Sequence, residues 1–235
     1  MKILRSENIF SSERALVAMA LAWYGSKTAN DHLVYLLRLM MGRGMHKTVP
    51  HVKSYRTMFS KMNDIDSDFS LVNRILIIIG RASHPDILPF LKKLVSDTPG
   101  LGHPVMRTMP YDQARKDIPV HPFYRRLINI AYAVERHADT CLIPAMESLL
   151  GKKDVSGHAL PVGSYRDPEY MLAHLELSLA RAAAKCGSKK GAEILIDYLS
   201  DCHIFFRENA RKELTAIAGH DLGKQPQAWR KWLNN

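Results

Sequence analysis

The nine residues LIPAMESLL, from Leu142 to Leu150, decide how this chain reads. Two apolar residues, two of any kind, one apolar, two of any kind and two apolar place Leu142, Ile143, Met146, Leu149 and Leu150 at offsets 0, 1, 4, 7 and 8. On a helix of 3.6 residues per turn those offsets share one face, so the stretch predicts an amphipathic helix with its stripe turned inward. The pattern recurs as Leu33, Val34, Leu37, Met40, Met41 and as Ile87, Leu88, Leu91, Leu94, Val95, with a looser copy at Ala192, Leu195, Tyr198, Leu199. The middle residues Leu37, Leu91, Met146 and Leu195 stand 54, 55 and 49 residues apart. Such a period marks a helical repeat array, in which each unit buries its apolar face only against its neighbours.

Working outward, each striped helix follows another apolar segment and a short turn: Gly25-Ser26, Ser83-His84-Pro85, His137-Ala138-Asp139 and Gly187-Ser188. Gly25 and Gly187 suit the left-handed position that ends a helix, and Pro85 suits the first turn of the next. Pro89 and Pro144 fall early in their helices, where a missing N–H costs little. The expectation is an all-α fold over residues 1–235, an α-α superhelix of about five hairpins at about 12–41, 67–97, 122–150, 168–200 and 204–233.

From Ser12 onward this pattern resembles the HEAT repeat family, whose antiparallel helix pairs stack into a curved solenoid; the resemblance implies an architecture and not an activity. The last unit runs from Asn209 through Gly219, Gly223, Pro226, Trp229 and Trp232. It resembles the closing segment of bacterial HEAT-type proteins, with Gly219 stopping a helix, Pro226 starting a short one and two Trp residues sharing a face to cover the open end. The stretch Glu169 to Trp232 also resembles HEAT-type tails of larger bacterial proteins, some of them FAD-dependent oxidoreductases. No flavin fingerprint is present, so that likeness implies an accessory domain without redox chemistry.

Three inter-hairpin connections are longer than such repeats need: Gly42 to Asp66, Thr98 to Pro122 and Gly151 to Asp167. In an array, equivalent connections project from one edge. The first and third echo each other, His46, Tyr55 and Arg56 against His158, Tyr165 and Arg166, and the middle one offers His103, Tyr111 and Arg115. Tyr and Arg supply the contact area and directional donors of interface hot spots, which makes these nine residues the candidate binding edge. The competing reading has the tyrosines anchoring long loops to the helices beneath and the arginines capping helix carbonyls.

Composition narrows the function classes. A 235-residue chain, 46% hydrophobic, buries a sufficient core without a metal or disulfide. The apolar run Leu71 to Ile79 is broken by Asn73 and Arg74, so no spanning helix is expected. Lys2 and Arg5 before Ala15–Tyr24 have the look of a secretory leader, but Ala15, Leu16, Met19, Ala20 and Trp23 form one helical stripe, which reads better as a first array helix. Cys141, Cys186 and Cys202 are odd in number and widely spaced, which favours a reducing, cytoplasmic compartment and no zinc site; the histidines lack the paired spacing a metal needs.

A formal net charge of +10 attracts acidic partners, protein or nucleic acid. Phosphate-binding glycine loops, H-E-x-x-H and G-x-S-x-G are all missing, and so are the His-Glu dipeptides of the deoxyhypusine hydroxylases. The alkylpurine DNA glycosylases match in size and charge, but their interior Trp residues have no counterpart, since Trp23, Trp229 and Trp232 lie near the two ends. The sequence therefore points to a non-catalytic scaffold without a cofactor. Its insertion-bearing edge is expected to bind an acidic protein or peptide, with nucleic-acid binding as the alternative.

Overall fold

The computed structural model describes residues 27, 28, 31, 34, 35, 76, 77, 79, 80, 87–101, 105–107, 118–120 and 123–235. Most of the first hairpin, the turns at Gly25 and Ser83, most of the second outer segment and the insertion 42–66 lie outside them. The described residues are helical: α1 Ile87–Asp97, α2 Tyr124–His137, a 3-10 turn Thr140–Leu142 leading into α3 Ile143–Leu149, α4 Asp167–Lys185, α5 Lys189–Tyr198, α6 Ile204–Ala218 and α7 Pro226–Leu233.

One element departs from the all-helical expectation. Within the middle insertion, β1 Val105–Arg107 and β2 Ile118–Val120 form an antiparallel ribbon with Val105 opposite Val120 and Arg107 opposite Ile118. Three residues per strand are too few for a period-2 pattern to register in a sequence. Pro119, opposite Met106, is tolerable because a two-stranded ribbon leaves each strand one open side.

The turns are set by particular residues. Gly187 adopts φ 96°, and Ser188 opens α5 by accepting from the Gly191 N–H at 3.0 Å. Between α2 and the 3-10 turn it is Ala138, not a glycine, that takes the left-handed conformation (φ 47°), and Asp139 then caps the Cys141 N–H at 2.8 Å. Gly219 ends α6 at φ 78°, with its N–H donating to Thr215 O at 2.9 Å, and Pro226 begins α7.

Burial follows the stripes. Ile87, Leu91, Leu94 and Val95 are buried, as are Leu142, Met146, Leu149 and Leu150, while Leu88 and Ile143 pack half-buried against them. Ala192, Leu195, Tyr198 and Leu199 are likewise buried, now with Phe206, Leu214 and a fully buried Trp229. Trp229 donates its indole N–H to Gly223 O at 2.8 Å and meets Trp232 edge to face at 6.0 Å. The cores are therefore aliphatic around α1–α4 and aromatic around α4–α7.

Two sets of contacts orient the longer helices. Near their starts, Tyr124 of α2 reaches His174 of α4 (3.5 Å), and Tyr170 of α4 meets Phe206 of α6 (4.8 Å between rings). Near their ends, Glu135 of α2 pairs with Lys185 of α4 (2.6 Å), which also reaches Glu213 of α6 (3.3 Å). Contacts start-to-start and end-to-end mean that α2, α4 and α6 lie side by side and run the same way. Helix α5 crosses back along α4, so closely that a Cβ on Gly191 would lie 2.7 Å from Ala180 O and Ala184 N.

Candidate functional site

Helix lengths create the site. At 1.5 Å per residue α4 is about 28 Å long and α3 about 10 Å, so the chain leaving α3 has a long climb before α4 begins. Residues 151–166 make that climb, and the N–H groups of Gly157, His158 and Leu160 turn inward. A buried amide without an acceptor costs roughly 1–3 kcal/mol, so acceptors must be supplied from beneath.

Two buried carboxylates supply them. Glu176, only 3% exposed on the inner face of α4, accepts from the Gly157 N–H through Oε1 and from the His158 N–H through Oε2, both at 2.7 Å. Its Oε2 also accepts from the Tyr198 hydroxyl at 2.8 Å. Asp201, 1% exposed just past α5, takes the Leu160 N–H (2.8 Å) and the Tyr165 hydroxyl (2.5 Å) on Oδ2 and the His203 N–H (2.8 Å) on Oδ1. Burial and the adjoining carboxylates push both phenols well above the ordinary tyrosine range, so each stays a donor at any physiological pH.

The same device joins one connection to the next. Asp154 accepts from the Leu101 N–H at 2.7 Å, which ties the start of the middle insertion to the third. Gly100 makes this approach possible: it adopts φ 99°, and a Cβ there would lie 2.6 Å from Asp154 Oδ2. Farther along, Leu160 is held through its N–H by Asp201 and through its carbonyl by the Cys202 N–H at 2.6 Å. Nη1 of Arg207 closes that corner on the carbonyls of Asp201 (2.6 Å) and Cys202 (3.2 Å). Three successive connections, entering α2, α4 and α6, are thus bonded into one continuous edge.

The expected site residues fall unevenly on this edge. His46, Tyr55, Arg56, His103, Tyr111 and Arg115 lie outside the described residues. Of the remaining three, Tyr165 is folded down: its ring packs at 5.4 Å from Phe206 and 6.3 Å from Tyr170, and its hydroxyl serves Asp201. His158 is half-buried, and its Nε2 is enclosed without a hydrogen-bond partner. Arg166 is exposed at the residue that caps α4, its backbone N–H donating to Glu169 Oε2 at 3.0 Å.

Sequence reasoning missed Glu176, Asp201 and Asp154. For Glu176 a signal existed, since it lies four residues after Leu172 and three before Leu179, an acid set on an apolar stripe. Also unanticipated are three exposed apolar side chains along the edge: Val162 (83%), Ile204 (64%) and Phe205 (46%).

Little else offers chemistry. Among the described residues no group of three His, Cys, Asp or Glu is placed to hold a metal ion, and no helix is long and apolar enough to cross a membrane. The three cysteines are free thiols. Burial raises the Cys186 thiol to about 11, far from the thiolate a nucleophile needs. No protein-family model matches this chain, and no curated protein or solved structure is significantly similar to it.

Proposed function

We propose that the chain is a non-catalytic HEAT-like scaffold whose connection-bearing edge binds an acidic protein or peptide. Parallel α2, α4 and α6, with α3 and α5 returning behind them, support a stacked-hairpin solenoid of about five units spanning residues 1–235. The fully buried Trp229, with Trp232 packed edge to face against it, supports the closing role read for the final unit. Three unpaired thiols fit a reducing, cytoplasmic setting.

One observation carries the functional reading: consecutive connections are fastened to each other by Asp154 and Asp201. Long loops left loose would lose much entropy on binding, whereas an edge already held in place avoids that loss. Arg166 is exposed on this edge, and the overall charge of +10 favours acidic partners.

The experiment pairs two probes on the purified full chain. A random peptide library displayed on phage should yield binders rich in Asp and Glu, and charge reversal at Arg56, Arg115 and Arg166 together should abolish their retention. Duplex and single-stranded DNA, titrated at two salt concentrations, should bind weakly and without sequence or strand preference. Tight, steeply salt-dependent DNA binding with no acidic peptides selected would replace this reading with a nucleic-acid-binding one.

A further inference from the structure

The first N–H groups of a helix need acceptors from outside it, and α6 takes one of a kind that no other described helix uses. Ser188 opens α5 with a hydroxyl and Asp139 opens the 3-10 turn with a carboxylate. At α6 the acceptor is an imidazole: the Phe205 N–H donates to His203 Nδ1 at 3.2 Å. That bond fixes the tautomer. Nδ1 must keep its lone pair, so the ring proton of the neutral side chain sits on Nε2. A second proton can only enter at Nδ1, where it takes the acceptor away.

The surroundings of the ring set the sign of the effect. His203 is half-buried, 5.3 Å from the Tyr170 ring of α4, 5.4 Å from Phe206 and 6.5 Å from Tyr165 of the 151–166 connection. Asp201 accepts the His203 backbone N–H at 2.8 Å and keeps its charge, which favours an imidazolium. The Arg207 guanidinium, seated on the carbonyls of Asp201 and Cys202, opposes it. Glu208, farther along α6, is paired with Arg211 and Lys224. Two neighbouring groups add no charge: burial and Arg181 hold His174 of α4 below the ordinary histidine value, and burial and Glu176 keep the Tyr198 phenol of α5 protonated. With Asp201 and Arg207 set against each other, the helix end decides. The first turn of α6 holds no acid, and the partial positive charge of a helix start disfavours a further cation. Protonation therefore costs α6 its cap and places a cation where the helix resists one.

The position of this cap ties it to the edge. Leu160 donates its N–H to Asp201 and accepts the Cys202 N–H at 2.6 Å, so residues 201–203 both hold down the connection and start α6. We propose that His203 is an acid-sensitive catch on the edge. Neutral, it caps α6 and keeps the 151–166 connection seated on Asp201 and Cys202; protonated, it releases the first turn of α6 and with it the Leu160 fastening. The catch works the same way whatever the edge binds.

Two measurements on the full chain test it. Nitrogen-15 shifts of the His203 ring at about pH 7.5 should show a bare Nδ1 and a protonated Nε2, and the opposite tautomer would overturn the proposal. Amide exchange, expressed as protection so that the intrinsic pH dependence drops out, is then compared at about pH 7.5 and about pH 5.5, on either side of the ordinary histidine range. The Phe205 and Cys202 amides should lose about tenfold or more in protection at the lower pH, with the middle of α4 unchanged. His203→Asn supplies a capping acceptor that does not titrate, and should keep its protection at both pH values. Equal protection of the natural chain at the two pH values would overturn the catch. So would an equal fall in His203→Asn, which would assign the effect to Asp201 or another group, and so would a fall shared by α4, which would mean that acid unfolds the chain as a whole.

Discussion

The two ends of α2, α4 and α6 are joined by opposite kinds of charge chemistry. At the end that leads into the short turns, Glu135, Arg181, Lys185 and Glu213 form a network in which each side chain keeps 15–34% of its surface in contact with solvent. At the connection end, Glu176 and Asp201 are almost sealed, and their partners are backbone amides and phenols rather than cations. The same carboxylate group therefore does different things. Where water competes, an ion pair contributes little and salt screens it. Where water is excluded, the carboxylate is needed because the donors around it have nowhere else to turn.

The sharpest break in that comparison is Glu176→Ala, which strands the Gly157 and His158 amides and the Tyr198 hydroxyl together. Urea unfolding should show a loss of about 3 kcal/mol, and less than about 1 kcal/mol would mean that Glu176 does not hold the connection. Between the two ends, Gly191→Ala forces α5 away from Ala180 and Ala184 and should cost about 2 kcal/mol in the same assay. Tyr165→Phe keeps the ring packing and removes one hydroxyl from Asp201; its expected cost is about 1 kcal/mol, with the aromatic near-ultraviolet signal retained.

The smallest effect belongs to the turn end. Lys185→Ala should destabilise by about 0.5 kcal/mol, and 1 M salt should erase most of the difference. Burial alone would lower the Lys185 pKa, but Glu135 and Glu213 outweigh it and raise the group above its ordinary value. A raised lysine stabilises the fold at pH values below the ordinary lysine pKa and loses that contribution as pH climbs through the raised one. The gap between natural chain and variant should therefore be flat through neutrality and close on the alkaline side as Lys185 loses its proton. A thermal-unfolding series in pH would show a gap closing near neutrality if this account of the network were mistaken.

Helices and their inner faces were legible because they depend on repetition. Leu91, Met146 and Leu195 mark the register, and each is fully buried. The ends of α6 and α7 were legible through Gly219 and Pro226, whose backbones leave few choices. Ala138 was not, since nothing in a lone alanine announces a left-handed turn. The ribbon at Val105 and Ile118 was too short to carry a period.

At the edge, Tyr165 and Arg166 were recognised as a pair, yet the structure separates their roles. Tyrosine in a connection can face either way, and a buried aspartate placed thirty-six residues later in sequence settles it here. Arg166 was left between a donor for a partner and a helix cap, and it is exposed at the start of α4. Glu176 was hidden by habit, because a glutamate in a helix is usually read as solvent-facing even when its spacing from Leu172 and Leu179 says otherwise. At the start of α6, sequence alone does not tell the buried Phe206 from the exposed Ile204 and Phe205.

Amide hydrogen exchange resolved at single residues, on the full chain in native buffer, tests the fastened edge most directly. The Gly157, His158 and Leu160 amides should exchange about as slowly as those in the middle of α4, because opening them requires detaching the connection from Glu176 and Asp201. Exchange at the rate of an unstructured loop, with α4 still protected, would contradict the account.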